Sequence, residues 1–219
     1  MKEKRLLSAG LVLLVSFAVW TWAVQHVDVR PVGQMGTAVG FAELNVRFHE
    51  LTGVHMWLYH ITDWMGFVPV FVCVVFGGLG AVQLIRQRSL FRVDGDILLL
   101  GVYYAAVIAG YLLFEMIPVN YRPILIDGRL EASYPSSTTL LALSVMPTLI
   151  FQAERRLTGE GWKRAVWIGA SFCGALMVIG RLMSGVHWLT DIVGSLLFST
   201  GLFCIYVWSV FRFEKEENR

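Results

Sequence analysis

His187 and Asp191 stand four residues apart in the stretch GRLMSGVHWLTD (180–191), and Arg181 precedes the histidine by six. Residues i and i+4 share one face of a helix. A carboxylate so placed accepts a hydrogen bond from one imidazole nitrogen and fixes the tautomer. The other nitrogen is then free to attack an electrophile or take a proton. Alone, such a pair is more often structural than catalytic. Arg181 shifts the balance, because the planar guanidinium fork suits phosphate oxygens and the short SGV connection lets it fold back over the histidine. Arg122, with Pro123 stiffening the chain after it, offers a second fork. A nucleophilic histidine between two anion-holding arginines spells phosphoryl chemistry.

A second stretch, EASYPSSTTLLAL (131–143), places hydroxyls at the head of an apolar run. The first N–H groups of a helix lack intrahelical partners and carry the positive end of its dipole, which makes an anion site. The hydroxyls of Ser136, Ser137 and Thr138 can cap that helix or donate to the same anion, and the two roles are compatible.

The elements that must position these groups are read from the apolar pattern. The chain has 219 residues, 56% of them hydrophobic and only 16% charged, with mean hydropathy +0.63. Soluble domains carry about 25% charged residues, so a bilayer is the expected solvent. A net charge of +2 gives no footprint for nucleic acid. Cys73, Cys173 and Cys204 are odd in number and widely spaced in apolar runs, so neither a disulfide framework nor a zinc site is expected.

Six apolar runs, 6–24, 68–85, 97–117, 138–151, 166–183 and 188–210, predict an all-α polytopic protein with six transmembrane helices. The first lacks a small-x-small cleavage site and is read as a span, not a signal peptide. The fourth is short, which places its upstream turn inside the protein. Of the 18 Lys and Arg residues, 13 fall on the side holding both termini, which marks that side as cytoplasmic. The other five are Arg30, Arg47, Arg122, Arg129 and Arg181. The first outer loop, 25–66, reads as an interfacial helix or helix pair, and its histidines read as interface residues. No linker or repeat divides the chain, so residues 1–219 form one membrane-embedded domain.

Taken together, these segments resemble the membrane branch of the type 2 phosphatidic acid phosphatase superfamily, which includes the vanadium haloperoxidases. Its three motifs are K-x6-R-P, P-S-G-H and S-R-x5-H-x3-D. They correspond here to Arg122-Pro123, to PSST at 135–138, and to Arg181, His187 and Asp191. The resemblance implies His187 as the nucleophile forming a phosphohistidine, oriented by Asp191, with Arg122 and Arg181 holding phosphoryl oxygens. It implies a lipid phosphate or diphosphate substrate, no cofactor and no metal.

The chain also departs from the pattern. Glu115 stands where the lysine would be, Gly180 replaces the serine, and Thr138 replaces the histidine that protonates the leaving oxygen. Losing a general acid costs roughly 10²–10⁴ in rate. Arg129 is the expected substitute for the missing lysine's charge, and Glu131 or His60 for the missing proton donor. A diphosphate substrate tolerates Thr138 best, because its leaving group is a phosphate monoester with a second pKa of about 6. The reading is therefore a membrane lipid phosphatase acting at the outer face on a substrate such as undecaprenyl diphosphate. The alternative is a weak or inactive relative that binds or helps translocate an anionic phospholipid.

Overall fold

The computed structural model describes residues 2–217. Arg219, counted above among the cytoplasmic cations, lies outside them. Eight α-helices follow one another: α1 Lys2–His26, α2 Ala42–Thr52, α3 Met56–Met65, α4 Phe67–Gln87, α5 Gly95–Met116, α6 Ser137–Arg156, α7 Glu160–Met183 and α8 Leu189–Glu217. Among the described residues β pairing is limited to isolated bridges.

Five helices are long and apolar enough to cross a membrane: Glu3–His26, Met56–Gln87, Gly95–Met116, Glu160–Met183 and Leu189–Glu217. The second joins α3 to α4 through Gly66, whose backbone is itself helical (φ −56°, ψ −23°). Val12, Val15 and Val19 of α1, Phe71 and Val74 of α4 and Val102 of α5 point outward, as side chains solvated by lipid would.

The fourth predicted span is α6. It is 20 residues long, enough for about 30 Å at a rise of ~1.5 Å per residue. Its apolar run ends early because the helix sits inside the bundle and carries polar groups there. Ser144, Thr148 and Gln152 are fully buried. Tyrosines on neighbouring helices meet them: Tyr103 Oη donates to the Ser144 carbonyl (3.0 Å), Tyr104 Oη lies 2.7 Å from Thr148 Oγ1, and Gln152 Nε2 donates to Tyr206 Oη (2.8 Å). Without water, such groups rely on protein partners, which Thr148 and Gln152 find and the Ser144 hydroxyl does not.

The core is built from α4 to α8, with Leu100, Leu140, Val145, Met146 and Val210 at its centre. Helix α1 lies along α8. A Cβ on Gly10 would stand 3.0 Å from the Gly201 carbonyl oxygen and 2.8 Å from Ile205 Cγ1, so only glycine permits that approach. At one end of the bundle Arg155 and Arg156 pair with Asp94, Asp96 and Glu214. At the opposite end the segments 117–136 and 184–188 converge, with α2 and α3 packed over them.

Candidate active site

The segment between α5 and α6 folds back on itself. Tyr121 and Ala132 pair antiparallel across a turn at Ile126–Arg129, where Asp127 (φ 49°) and Gly128 (φ 74°) take left-handed conformations. Asp-Gly suits such a two-residue turn. The Arg122 N–H donates to the Glu131 carbonyl (3.0 Å), and Ser133 N–H to the Asn120 carbonyl (2.9 Å). The fold-back thus brings Arg122, Glu131 and Ser133 side by side. The Arg122 guanidinium pairs with Glu131 (Nε–Oε2 3.0 Å).

His187 lies between α7 and α8, buried at 3% exposure. Its Nδ1 stands 3.1 Å from the Ser133 carbonyl oxygen and 3.5 Å from Asp191 Oδ2. The nearer carbonyl takes the Nδ1 proton, so the expected histidine–carboxylate hydrogen bond is a looser charge contact. Asp191 is held elsewhere: Oδ2 accepts from the Trp188 N–H (3.0 Å) and Oδ1 from Asn120 Nδ2 (3.2 Å). The first is the back-bond of a carboxylate in the first turn of a helix to the helix entry. Nε2 is left facing Arg122, whose Nη1 is 3.4 Å away. Burial, against the pull of Asp191, depresses the His187 pKa to about 4, and the nearby Arg122 adds to the depression. The imidazole is neutral at pH 7, with its Nε2 lone pair available.

Arg181 ends α7 and is 1% exposed. Its Nη2 donates to Asp63 Oδ1 (2.8 Å), and its guanidinium carbon lies 4.5 Å from the centre of the Tyr59 ring. Arg122 flanks the same ring at 5.9 Å. Nε and Nη1 of Arg181 are buried with no hydrogen-bond partner, as are the hydroxyls of Ser133 and Ser136. Unsatisfied buried donors are costly. Their clustering beside a neutral histidine is what an oxyanion site requires.

The head of α6 starts at Ser137 with Ser136 as its cap residue, and no side chain caps it. Ser136 N–H donates to the Asp191 carbonyl (3.3 Å), and Ser195 Oγ lies 3.0 Å from the carbonyls of both Ser136 and Asp191. These bonds lock the start of α6 against the first turns of α8. Two cavities meet here. A polar one of about 280 Å³ is lined by Arg122, Glu131, Ser133, Ser137 and His187. An apolar groove of about 390 Å³ is lined by Asp63, Phe67, Val70, Ile108, Thr138 and Leu141. Tyr111 and Ser137 border both.

The fold therefore gathers Arg122, Ser137 and His187 on one cavity, with Asp191 directly behind the histidine. Ser136 sits buried at the α6 cap, and Thr138 faces the adjoining groove. Arg129 is not brought in: it sits exposed at the tip of the turn, outside the residues that line the cavity, because the Asp-Gly turn carries it away. His60 is also exposed, its ring edge-on to that of Tyr59. Glu131 does line the cavity, already paired to Arg122.

The segment between α1 and α4 contributes more than its composition promised. Asn45 of α2 bonds the Thr190 hydroxyl (3.0 Å) and accepts from the Thr190 N–H (3.3 Å), bracing the head of α8. His49 Nε2 lies 3.1 Å from the Gly185 carbonyl. Gly185 (φ 69°) packs so tightly under the α2–α3 connection that a Cβ would stand 2.1 Å from the Gly53 carbonyl oxygen. Tyr59 and Asp63 went unnoticed in the sequence, although their spacing of four already put a ring and a carboxylate on one face of α3. The Gly180 departure also has a local cause: a Cβ there would meet Thr62 Cγ2 at 2.4 Å.

Fold and site together define a polytopic helical membrane protein with buried histidine and arginine side chains at one end of the bundle. Residues 117–215 match the family described as the PAP2 superfamily. That stretch carries all three motif segments. Across nearly the whole chain the fold is similar to a solved transmembrane PAP2 type phosphatidylglycerolphosphate phosphatase from Bacillus subtilis. The TM-score is 0.64 at 19% identity, covering 94% of this chain and 96% of that one. No curated protein matches the sequence.

Proposed function

We propose that the protein is a membrane lipid phosphatase that works through a phosphohistidine on His187 and favours lipid diphosphates. The observation that carries this reading is the set of unpaired buried donors, Arg181 Nε and Nη1 with the Ser133 and Ser136 hydroxyls, around a neutral His187. In the proposed reaction the Nε2 lone pair attacks phosphorus. The N–P bond forms as the bond from phosphorus to the leaving oxygen breaks, and that oxygen departs with the electron pair. Arg122 and Arg181 hold the non-bridging oxygens. The proton stays on Nδ1, donated in a hydrogen bond to the Ser133 carbonyl, and the Asp191 charge offsets the imidazolium as it develops. Water then attacks the phosphohistidine, and the N–P bond breaks to return neutral His187, with the water's protons passing to phosphate and solvent.

The apolar groove at Thr138 suits the lipid chain. Among the residues that line it, Asp63 and Tyr111 carry ionisable groups, but neither stands in the place of the family's histidine on α6. A leaving group that departs unprotonated fits that arrangement, and a lipid diphosphate supplies one. In the same reading α6 also crosses the membrane and brings the spans to six, α2 and α3 lie at the membrane interface, both termini are cytoplasmic and the site opens outward. Residues 1–219 act as one domain.

The test is phosphate release by the purified protein in detergent, without added metal, from matched lipid mono- and diphosphates. Faster diphosphate cleavage, lost in His187→Ala, supports the reading. A second reading, a lipid binder or translocation factor without catalysis, is favoured by Thr138. It predicts no phosphate release from any lipid, and saturable lipid binding that survives His187→Ala.

A further inference from the structure

We propose that Asp63 and Tyr59 of α3 are positioning residues that set the Arg181 guanidinium for the phosphoryl group, which makes the helix of the first outer loop a working part of the site. The inference rests on the phosphatase reading for its kinetic arm only. Neither residue belongs to the three motif segments, and both lie outside the matched stretch 117–215.

Arg181 has five N–H donors to place. Asp63 holds one terminus of the guanidinium through Nη2 at 2.8 Å. Tyr59 covers a face at 4.5 Å. What remains is Nε and Nη1, one on each of the two edges that share Nη2, and neither has a partner. A guanidinium fixed at one terminus and on one face has little rotational freedom, so these free donors are aimed before any anion arrives. The environments of the two partners differ sharply: the Arg181 side chain is 2% exposed and that of Asp63 is 61% exposed. The carboxylate keeps much of its hydration while bonding a buried cation, and this lowers the cost of burying a charge that has no second partner.

The helix that carries the pair is itself fixed on α7. Thr62 is fully buried, and its methyl sits over Gly180, one residue before Arg181. The His55 N–H donates to the Ser184 carbonyl (2.9 Å), anchoring the start of α3 just past the end of α7. The register of α3 on α7 is thus pinned on both sides of Arg181. Tyr59 also contacts Arg122 at 5.9 Å, so one ring spaces the two arginines.

The experiment uses the full chain in detergent, with turnover of a lipid diphosphate and, separately, calorimetric binding of orthovanadate as a phosphate mimic. Removing one pre-aimed donor from an oxyanion site costs about 10²–10³ in kcat. Asp63→Asn misaims Arg181 without deleting it, so a loss of roughly ten- to a hundredfold in kcat is expected. Orthovanadate affinity should fall roughly tenfold. Asp63→Glu should recover part of both. Tyr59→Leu should lose more than Tyr59→Phe, which keeps the ring, and it carries the same test should Asp63→Asn fail to fold. Glu50→Gln, an exposed carboxylate of α2, serves as the control expected to leave turnover unchanged.

Wild-type kcat and orthovanadate affinity in a folded Asp63→Asn would overturn the inference. So would a kcat loss confined to low pH with orthovanadate affinity intact, which would make Asp63 the proton donor. A wild type that releases no phosphate, yet binds orthovanadate in an Asp63-dependent way, overturns the phosphatase reading and leaves the clamp standing.

Discussion

Gly180→Ala should uncouple the arginine from its clamp, and the size of the effect follows from one contact. The new Cβ would lie 2.4 Å from Thr62 Cγ2. Carbon atoms settle at about 3.5–4.0 Å, so a gap of ~1.1–1.6 Å has to open. Thr62 cannot rotate away cheaply, because its hydroxyl is bonded to the carbonyls of Leu58 (2.8 Å) and Tyr59 (3.0 Å) and its side chain is buried. The strain passes to the α3–α7 packing. Overpacking of this kind costs about 1–3 kcal/mol, against which the better helix propensity of alanine returns up to ~1 kcal/mol. A shift of ~1 Å at Arg181 costs about 10²-fold in turnover. Thr62→Ser removes only the obstructing methyl and keeps the hydroxyl. The double variant Gly180→Ala/Thr62→Ser should therefore recover most of the activity and stability. Thermal unfolding and phosphate release across the four-member cycle measure the coupling. A single Gly180→Ala variant with wild-type turnover, or additive effects in the cycle, would refute the reasoning.

His187→Ala is expected to abolish phosphate release while the protein still folds, because Arg122 keeps its Glu131 partner and Asp191 its Trp188 and Asn120 bonds; phosphate release and size-exclusion profiles check both halves. With the folded pKa near 4 against 6.5 for the free side chain, the unfolded chain takes up this proton first as pH falls. His187 should thus subtract stability progressively between pH 6.5 and 4 and nothing above, so His187→Ala should flatten that part of the stability–pH curve. The nucleophile should also stay active well below pH 6, and an acid limb of kcat near 6.5 would show that its lone pair is not set by burial. Thr138→His should raise monoester turnover selectively, by up to roughly 10²-fold, with diphosphate turnover little changed; equal wild-type rates on both substrates would defeat the leaving-group argument.

Much of this molecule can be read from composition and spacing. Apolar runs locate helices because the hydrocarbon core demands length and internal backbone bonding, and α1, α4, α5, α7 and α8 fall where those runs lie. The head of α6 is legible because proline and hydroxyls punctuate an apolar run. Arg181, His187 and Asp191 are legible because they sit within a dozen residues, where a short connection between two helices keeps them near one another, although His187 itself lies outside both helices. Arg122 is legible only through its motif. Nothing in the sequence near it says that Ser133 and Glu131 return to its side, although the Asp-Gly pair at 127–128 marks the turn that brings them back.

The sequence by itself determined a helical membrane protein and the chemical kinds of group at one boundary of it: a histidine–aspartate pair, two guanidinium forks and an N-terminal helix head. Only the tertiary structure decided the partners. It directed the Nδ1–H of His187 to the Ser133 carbonyl ahead of Asp191, left Arg129 outside on its turn, and brought Asp63 onto Arg181 from 118 residues away along the chain, with Tyr59 beside it. The physical reason is the range of the rules. Propensity, periodicity and capping act over a few residues, whereas the direction of a buried guanidinium is set by whichever side chains the packing of α3 on α7 delivers to it.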